Sequence, residues 1–381
     1  MKNPWFKEEH EIFRKTVRKF METELAPHAE EWEEKKDFPN WVFKRAGDMG
    51  FIGIIYPEEV GGAGCDYFYK TVFCEELPRS ECGSVDMALL VQSDMGSPPI
   101  NILGTKEQKE EYLVPIIKGD KICAIGVTEA NAGSDVGAMR TTARKDGDYY
   151  VINGTKMFIT NGARADVITL AAKTDPDKGY GGISLFLVDT DLPGFSVSRK
   201  LDKMGMHASD TTELVFEDVR VPKDKLLGEE NTGFYEVMIN FQGERLVAAI
   251  SSVAAAALVL EKTMEYIKQR EIFGKPLSKF QVTRHKMVDM LCEIEAARQY
   301  VYYCCWLFDQ DRNPAKEVSI AKIVSTEMAI RVINQCIQLH GGYGYMREYG
   351  IERAYRDARL ATIGGGATEV MKEVVGRMMG L

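Results

Sequence analysis

The spacing of apolar residues changes twice along the chain, and these two changes constrain the fold more than any single motif. From about residue 7 to residue 120, apolar side chains recur every three to five positions, as on one face of an α-helix. Glycine and proline break this region into several helices, most clearly at Pro57–Gly62. The pattern therefore predicts a helical first third, in which Ile12, Phe13, Val17, Phe20, Met21 and Leu25 share one face.

The middle third has the composition of β-strands separated by turns. The run Tyr149–Ile152 is followed by Asn153-Gly154, a dipeptide typical of a hairpin turn. The run Ile183–Val188 is followed by a segment rich in turn residues, Asp189–Gly194. We therefore expect a small β-domain here.

Long helical patterns return after about residue 233, in segments whose lengths are typical of a helical bundle. They are Phe234–Gln269, Lys279–Phe308 and Ala315–Leu339. The order predicts an α+β, mainly α fold with three domains. These are an N-terminal helical domain over residues 1–120, a β-barrel-like domain over 121–232 and a C-terminal four-helix-bundle domain over 233–381.

Composition and charge exclude several classes of function. The chain of 381 residues is 45% hydrophobic and can bury a large core. Its net charge of −9 argues against a general affinity for nucleic acid, which requires an excess of Lys and Arg. No segment reaches the roughly 18 uninterrupted apolar residues of a membrane span, and the first residues lack the apolar core of a secretory signal. We expect no membrane span and no secretion.

The eight cysteines are scattered, without a CxxC pair and without a histidine at metal-ligand spacing. Such cysteines are typical of reduced, mostly buried thiols. We therefore expect a cytoplasmic protein with no metal site.

Several motifs follow one another in a recognisable order. Val127–Asp135 reads VTEANAGSD, and Lys156–Gly162 reads KMFITNG. Further segments are Arg270–Gly274, Gln281, Gln338–Gly344, Arg356–Arg359 and Ile363–Gly366. The first motif matches the "TEPxAGSD" signature of the acyl-CoA dehydrogenases, and the whole set resembles this flavoprotein family over essentially the full chain. The family's helix–sheet–helix architecture agrees with the apolar pattern.

The resemblance implies FAD as the cofactor. A flavin that accepts a hydride needs donors aimed at its ring and a shield over the face that substrate does not use. The residues implied near the flavin are Val127, Thr128, Gly133, Ser134, Phe158, Ile159 and Thr160. Those implied for the rest of the dinucleotide are Arg270, Phe273, Gln281, Gln338, Gly341, Gly342, Ala367 and Glu369. Because family members use Arg270 and Gln281 on a neighbour's FAD, the resemblance also implies a homo-oligomer, for which we expect a tetramer.

Oxidising a thioester between Cα and Cβ requires a carboxylate that removes the α-proton. Many family members carry it near the C-terminus in a "YEGT" motif, where this chain has Gly364–Ala367. A minority, including isovaleryl- and long-chain acyl-CoA dehydrogenases, place it on a helix directly before an arginine. Glu244 precedes Arg245 at that position. The resemblance therefore implies Glu244 as the base and the Gly365 N–H as a donor to the thioester carbonyl.

The neighbours of Glu244 complete the implied substrate site. Phe241 can share one side of the helix with Glu244 and Arg245, because it lies three and four residues before them. The implied substrate-binding residues are Ser134, Phe241, Arg245 and Gly365. A simple ion pair between Glu244 and a basic residue is the alternative interpretation.

Asp94 is a second candidate for catalysis. Its segment, Val91–Ile100, resembles the family's stretch that lines the acyl pocket, but Asp94 stands where the family has a small neutral residue. It could simply cap a helix or face water. Alternatively, it could reach a carbon beyond Cα in a cyclic or unsaturated acyl group.

These observations lead to one main hypothesis about function and three alternatives. The main hypothesis is an FAD-dependent dehydrogenase of a branched, alicyclic or medium- to long-chain acyl-CoA that passes electrons to electron-transferring flavoprotein. The alternatives are dehydrogenation at a more remote carbon through Asp94, a flavin oxidase, and a non-catalytic binding partner.

Overall fold

The computed structural model of the protein describes residues 3–310, 312 and 314–381. Its first part, up to residue 117, is helical, as predicted. Three short π-helical segments extend these helices, at Met21–Leu25, Val91–Gly96 and Lys109–Leu113. The α-helices are α1 (Glu8–Phe20), α2 (Ala29–Lys35), α3 (Trp41–Asp48), α4 (Tyr67–Glu76), α5 (Gly83–Leu90), α6 (Pro98–Leu103), α7 (Lys106–Gln108) and α8 (Val114–Ile117).

Helix α1 forms where the apolar spacing predicts it. Acidic residues occupy its first turn and basic residues its last, which suits the helix dipole. Val17 and Phe20 are buried in the core, but Ile12 is 61% exposed, so its predicted place on the same face was wrong. Ile12 precedes Val17 by five residues, which turns it roughly 140° away from the buried face.

The middle part is a β-sheet, as predicted. Its strands run in the order β6-β7-β3-β2-β4-β5-β8, with β1 beside β4. Strands β1 and β2 are parallel to β4, and the other pairs are antiparallel. Among the described residues, this hydrogen-bonded order is an open path. The strands are β1 (Cys123–Gly126), β2 (Thr142–Asp146), β3 (Tyr149–Ile159), β4 (Val167–Lys173), β5 (Ile183–Asp189), β6 (Phe195–Lys200), β7 (Thr212–Pro222) and β8 (Leu226–Leu227).

The predicted turn at Asn153-Gly154 is wrong, because β3 continues through both residues. The pairing of β3 with β7 shifts register here, as in a β-bulge. The Asn153 side chain exchanges two hydrogen bonds of 2.9 Å with Asp218 across the bulge. Gly154 has a φ of 149°, and a Cβ there would lie 2.6 Å from the Cα of Thr141. The glycine therefore allows close strand packing rather than chain reversal.

The C-terminal part is a helical bundle whose long helices match the predicted segments within a few residues. Helix α11 packs along α9 and α10, and the shorter α12 and α13 pack on α11. A two-residue-per-strand hairpin, β9 (Glu271–Ile272) and β10 (Lys275–Pro276), joins α9 to α10. The helices are α9 (Gly233–Gln269), α10 (Gln281–Asp309), α11 (Ala315–His340), α12 (Ile351–Ala358) and α13 (Thr368–Met378).

Helix α9 connects the three parts of the molecule. It packs against α10 and α11 in the bundle, against α4 and the Val91–Gly96 segment in the first part, and against β5 in the sheet. By length and composition alone, this one helix of the described chain could cross a membrane, but 61% of its most apolar window is buried inside the protein. Its apolar side chains therefore serve packing within the fold. The domain limits at residues 120 and 232 stay predictions.

Candidate active site

A loop of three glycines meets α9 at Glu244. Gly365, the middle glycine, has a φ of 62°, a conformation that other residues rarely adopt. A Cβ built on Gly365 would lie 3.0 Å from Oε1 of Glu244 and 3.6 Å from its Cγ and Cδ. The carboxylate of Glu244 therefore occupies the space that a side chain at position 365 would need.

Burial tunes the carboxyl group of Glu244. It raises the pKa of Glu244 to about 7, and the positive charges of Lys322 and Arg245 offset only part of this effect. A carboxyl group with a pKa near neutrality can accept and release a proton under ordinary conditions. This is the property that a general base in this position requires.

Arg245 is buried and turns towards the glycine loop. Its Nε donates a hydrogen bond to the carbonyl oxygen of Gly365 at 3.2 Å. Its guanidinium also lies 5.9 Å from the ring centre of Phe241, so both residues share one side of α9, as predicted. Burial lowers the pKa of Arg245, and the nearby Glu244 opposes this effect. The structure thus brings together four predicted residues: Phe241, Glu244, Arg245 and Gly365.

Lys322 belongs to the same cluster, and sequence analysis missed it. Its side chain is 1% exposed, and its Nζ donates hydrogen bonds to the carbonyl oxygens of Gly364 and Gly366. Burial lowers the pKa of Lys322 to about 8, against the opposing charge of Glu244. One feature of the sequence does indicate that Lys322 is buried. Lys322 follows Val318 by four residues and therefore lies on the buried face of α11, where a lysine is unusual.

Asp94 neither caps an α-helix nor faces water, so the simple interpretation of this residue was wrong. It lies within the π-helical segment Val91–Gly96 and is 6% exposed. Its Oδ2 accepts hydrogen bonds from the fully buried Nζ of Lys70 at 3.0 Å and from the Oγ of Ser93 at 2.5 Å. Its charge is therefore matched by a buried ammonium group, another partner that the sequence did not reveal.

The predicted flavin residues lie at the C-terminal end of β3 and on the loop after β1. Val127 and Ile159 are buried, Thr128 and Thr160 are partly exposed, and Gly133 and Ser134 are exposed. Phe158 is 64% exposed and has a φ of 63°. An exposed aromatic ring held on a left-handed backbone suits contact with a flat ligand rather than packing in the core.

A buried ion pair between Lys156 and Glu129 fixes the loop after β1. Nζ of Lys156 donates hydrogen bonds to the carbonyl oxygen of Val127 at 3.0 Å and to Oε1 of Glu129 at 2.9 Å. The carboxylate of Glu129 also accepts from the backbone N–H groups of Arg140 and Thr141. The backbone N–H of Met157 donates to the carbonyl of Thr128 at 2.8 Å. These bonds fix the strand that carries Phe158 relative to Val127 and Thr128.

A separate cleft of about 590 Å³ lies where the C-terminal ends of α9 and α11 meet. It contains four of the predicted cofactor residues, namely Arg270, Gln338, Gly341 and Gly342. The guanidinium of Arg270 lies over the ring of Tyr343 at 5.5 Å. A guanidinium next to glycine N–H groups is a donor set that suits a diphosphate.

The remaining predicted cofactor residues lie outside the lining of this cleft. Phe273 sits in the β9–β10 hairpin and is 94% exposed. Gln281 begins α10 and is exposed, while Ala367 and Glu369 lie at the start of α13. Within residues 3–310, 312 and 314–381, no group of three or more His, Cys, Asp or Glu residues is placed to hold a metal ion.

Three family models match the chain in succession. They are the N-terminal, middle and C-terminal domains of acyl-CoA dehydrogenase, over residues 7–120, 124–219 and 231–380. The long-chain specific acyl-CoA dehydrogenase of Mus musculus mitochondria is 42% identical over 98% of this chain and 87% of its own.

Solved structures agree with this match. Acyl-CoA dehydrogenase from Geobacillus kaustophilus is 43% identical, with a TM-score of 0.95 over 99% of this chain and all of its own. PigA, whose structure was solved with FAD and proline, is 28% identical, with a TM-score of 0.95 over 99% of this chain and 98% of its own. The protein is therefore an oxidoreductase that belongs to the acyl-CoA dehydrogenase family.

Proposed function

We propose that the protein is an FAD-dependent acyl-CoA dehydrogenase in which Glu244 removes the α-proton of the thioester. The observation that carries this proposal is the contact between Glu244 and Gly365. The carboxylate of α9 lies 3.0 Å from the place where a side chain at position 365 would begin. A base that other family members supply from the C-terminal loop is supplied here from the facing helix, to the same space.

The residues around Glu244 provide the proton acceptor, the donor to the thioester oxygen and the contacts that fix the loop carrying this donor. Glu244 takes the α-proton, which a pKa of about 7 permits near neutral pH. The N–H of Gly365 donates to the thioester oxygen as negative charge develops there. Arg245 and Lys322 hold the carbonyl groups of the loop that carries this N–H. When bound, FAD supplies the acceptor for the hydride that leaves Cβ.

Two regions of the chain suit FAD. Val127, Thr128 and Phe158, fixed by Lys156, offer backbone groups and an exposed ring for the flavin. The cleft with Arg270 and Gly341-Gly342 offers donors for the diphosphate. Gly133, Ser134, Ile159 and Thr160 would complete the flavin contacts, and Phe273, Gln281, Gln338, Ala367 and Glu369 the dinucleotide contacts.

The acyl group we propose is branched, alicyclic or medium to long in chain. Positions 364–366 carry no side chains, so this loop places none against the Cα of the acyl group. An anaerobic spectral screen with straight, branched, cyclic and dicarboxylic acyl-CoAs tests this proposal. We expect branched or cyclic substrates to bleach the flavin fastest. Failure of every acyl-CoA to bleach it would contradict the function, and a preference for short straight chains would contradict the specificity.

We also propose a homotetramer that reduces electron-transferring flavoprotein in the cytoplasm. Phe273 is almost fully exposed, and Val282 and Val288 on the neighbouring α10 are 63% and 56% exposed, which suits burial by another subunit. The eight cysteines are free, as expected in a reducing compartment. Oxygen uptake at a rate similar to reduction of electron-transferring flavoprotein would instead indicate an oxidase.

A further inference from the structure

Three consecutive carbonyl groups of the glycine loop are held by two buried cations. The ammonium group of Lys322 bonds the carbonyl oxygens of Gly364 and Gly366, and Arg245 bonds that of Gly365. Both side chains are at least 95% buried. Burying a lysine is costly unless its donors are satisfied, so the loop and Lys322 depend on one another.

Holding these carbonyls also sets the direction of the N–H groups. The described chain contains no cis peptide bond, so the carbonyl of Gly364 and the N–H of Gly365 point to opposite sides of one planar unit. Because Lys322 draws the Gly364 carbonyl towards α11, the Gly365 N–H must point away from α11. Glycine has no side chain to fix such a loop by packing, so the direction of this N–H depends on the two cations.

The same ammonium acts on Glu244 through its charge. The charged groups that act on Lys322 are Glu244 and Arg245, both on α9. The charged groups that act on Glu244 are Lys322 and Arg245, and each lowers its pKa. Substitution of Lys322 should therefore affect both the Gly365 N–H donor and the Glu244 base. Substitution of a lysine with a purely structural role would affect neither of them selectively.

We propose that Lys322 is a positioning residue for catalysis, which fixes the Gly365 N–H towards the thioester oxygen through its hydrogen bonds to the Gly364 and Gly366 carbonyls. This inference rests on the proposed function. It adds a residue on α11 to a site otherwise built from α9 and the C-terminal loop.

Substrate-like ligands with and without the carbonyl oxygen test the positioning role. Binding of an enoyl-CoA thioester and of the matching S-alkyl-CoA thioether to the FAD-containing enzyme can be compared by calorimetry. We expect the wild type to prefer the thioester, and Lys322→Met to lose about tenfold of that preference, the effect of one hydrogen bond, with thioether binding unchanged. The exposed Lys372→Met, on α13, is the control and should match the wild type.

The pH profile of flavin reduction tests the effect on Glu244. The midpoint should move to higher pH in Lys322→Met, because a charge that stabilises the carboxylate is removed. Lys322→Arg keeps the charge but not the point-like donor geometry, so it should keep the wild-type midpoint and lose part of the thioester preference. If Lys322→Met does not fold, the pH midpoint and the thioester preference of Lys322→Arg test the positioning role instead.

The outcomes separate this inference from the proposed function. Unchanged thioester preference in Lys322→Met, or equal preference in Lys322→Arg and the wild type, would overturn the positioning role. Equal weakening of thioester and thioether would show a merely structural lysine. A wild type that does not distinguish the two ligands, and whose flavin no acyl-CoA bleaches, would instead contradict the proposed function and this inference with it.

Discussion

At the scale of single residues, the site depends on complementarity between a glycine and a glutamate. Gly365 leaves a space beside its Cα, and the carboxylate of Glu244 fills it. The left-handed φ of Gly365 disfavours any other residue, whatever the space. Two independent physical reasons thus require glycine at this position.

Gly365→Ala should therefore be costly in two ways. The left-handed backbone should lower the free energy of unfolding by roughly 1–2 kcal/mol. The new Cβ, 3.0 Å from Oε1, should displace the carboxylate by a few tenths of an ångström and slow the reaction by less than the roughly 10²-fold that a 1 Å displacement can cause. Stopped-flow flavin reduction and urea unfolding measure the two effects. Gly376→Ala, in the open on α13, should instead be neutral or stabilising, and a fully active Gly365→Ala would contradict the account.

The variant Asp94→Asn tests whether Asp94, the second candidate for catalysis, contributes to stability or to the reaction. The change should lower stability, because Lys70 would stay buried without its anionic partner, and such losses reach about 3–5 kcal/mol. Flavin reduction by a saturated acyl-CoA should stay within about tenfold of the wild type, a barrier change under roughly 1.4 kcal/mol. A loss of several orders of magnitude, with Glu244→Gln nearly active, would exchange the roles of the two residues.

The sequence allowed prediction of Glu244 but not of the lysines around the site. Glu244 could be inferred from the family resemblance, because it precedes an arginine as in one branch and because position 365 lacks the carboxylate of the other. Lys70, Lys156 and Lys322 each pair with groups far away in the chain, and their burial depends on how distant segments pack. A lysine on an apolar helix face indicates such a partner, but not its identity.

At the scale of elements, the ends of α9 and α11 build the second cleft. Arg270 is placed there by the end of α9, and Gln338, Gly341 and Gly342 by the end of α11. Predicted residues separated by about 70 positions therefore meet because α9 and α11 run in the same direction and end side by side. Helix positions were predictable from period and length, whereas the grouping of these residues at one cofactor site was implied by the family resemblance.

Arg270→Ala should weaken the retention of FAD. The substitution removes the guanidinium of the cleft, whose fork suits a diphosphate, and leaves the helices intact. Repeated gel filtration, followed by absorbance of the retained flavin, should show a lower ratio of FAD to protein. Lys268→Ala is the matched control, because Lys268 lies two residues earlier, is exposed and pairs only with the nearby Glu265 in the described chain. Equal retention by both variants would contradict this role of Arg270.

Local elements with non-repetitive geometry were not predictable. The Asn153-Gly154 pair has the composition of a turn, but in the structure it forms a bulge that packs closely on Thr141. Likewise, the π-helical segment that holds Asp94 has no sequence signature of its own. In both cases, contacts with distant residues override the local preference.

At the scale of the whole molecule, a pair of carboxylates joins all three parts. Oδ1 of Asp357, on α12, accepts a hydrogen bond from the backbone N–H of Met206 at 2.6 Å. Glu33, on α2, accepts one from the N–H of His207 at 3.0 Å. Burial, together with the smaller effect of the Glu33 charge, raises the pKa of Asp357 to about 7. The junction therefore holds a proton that the unfolded chain releases near pH 4.

This junction predicts a specific pH dependence of stability. Between about pH 4 and pH 7 the folded protein binds one more proton at Asp357 than the unfolded chain, so the contribution of Asp357 to stability falls as pH rises and levels off above pH 7. Asp357→Asn removes this dependence. Urea unfolding of both proteins across this range should show the variant gaining stability relative to the wild type as pH rises. Parallel curves would contradict the assignment.

Reductive bleaching of the FAD-containing enzyme by an acyl-CoA tests most directly whether Glu244 is the base. Glu244→Gln preserves the shape of the side chain and removes only the proton acceptor, so the variant should fold, retain FAD and bind acyl-CoA. Its anaerobic bleaching should fall by more than the roughly 10²–10⁴-fold usual for a general base. Glu265→Gln, an exposed change on the same helix, should bleach like the wild type. Full bleaching in Glu244→Gln would contradict the account.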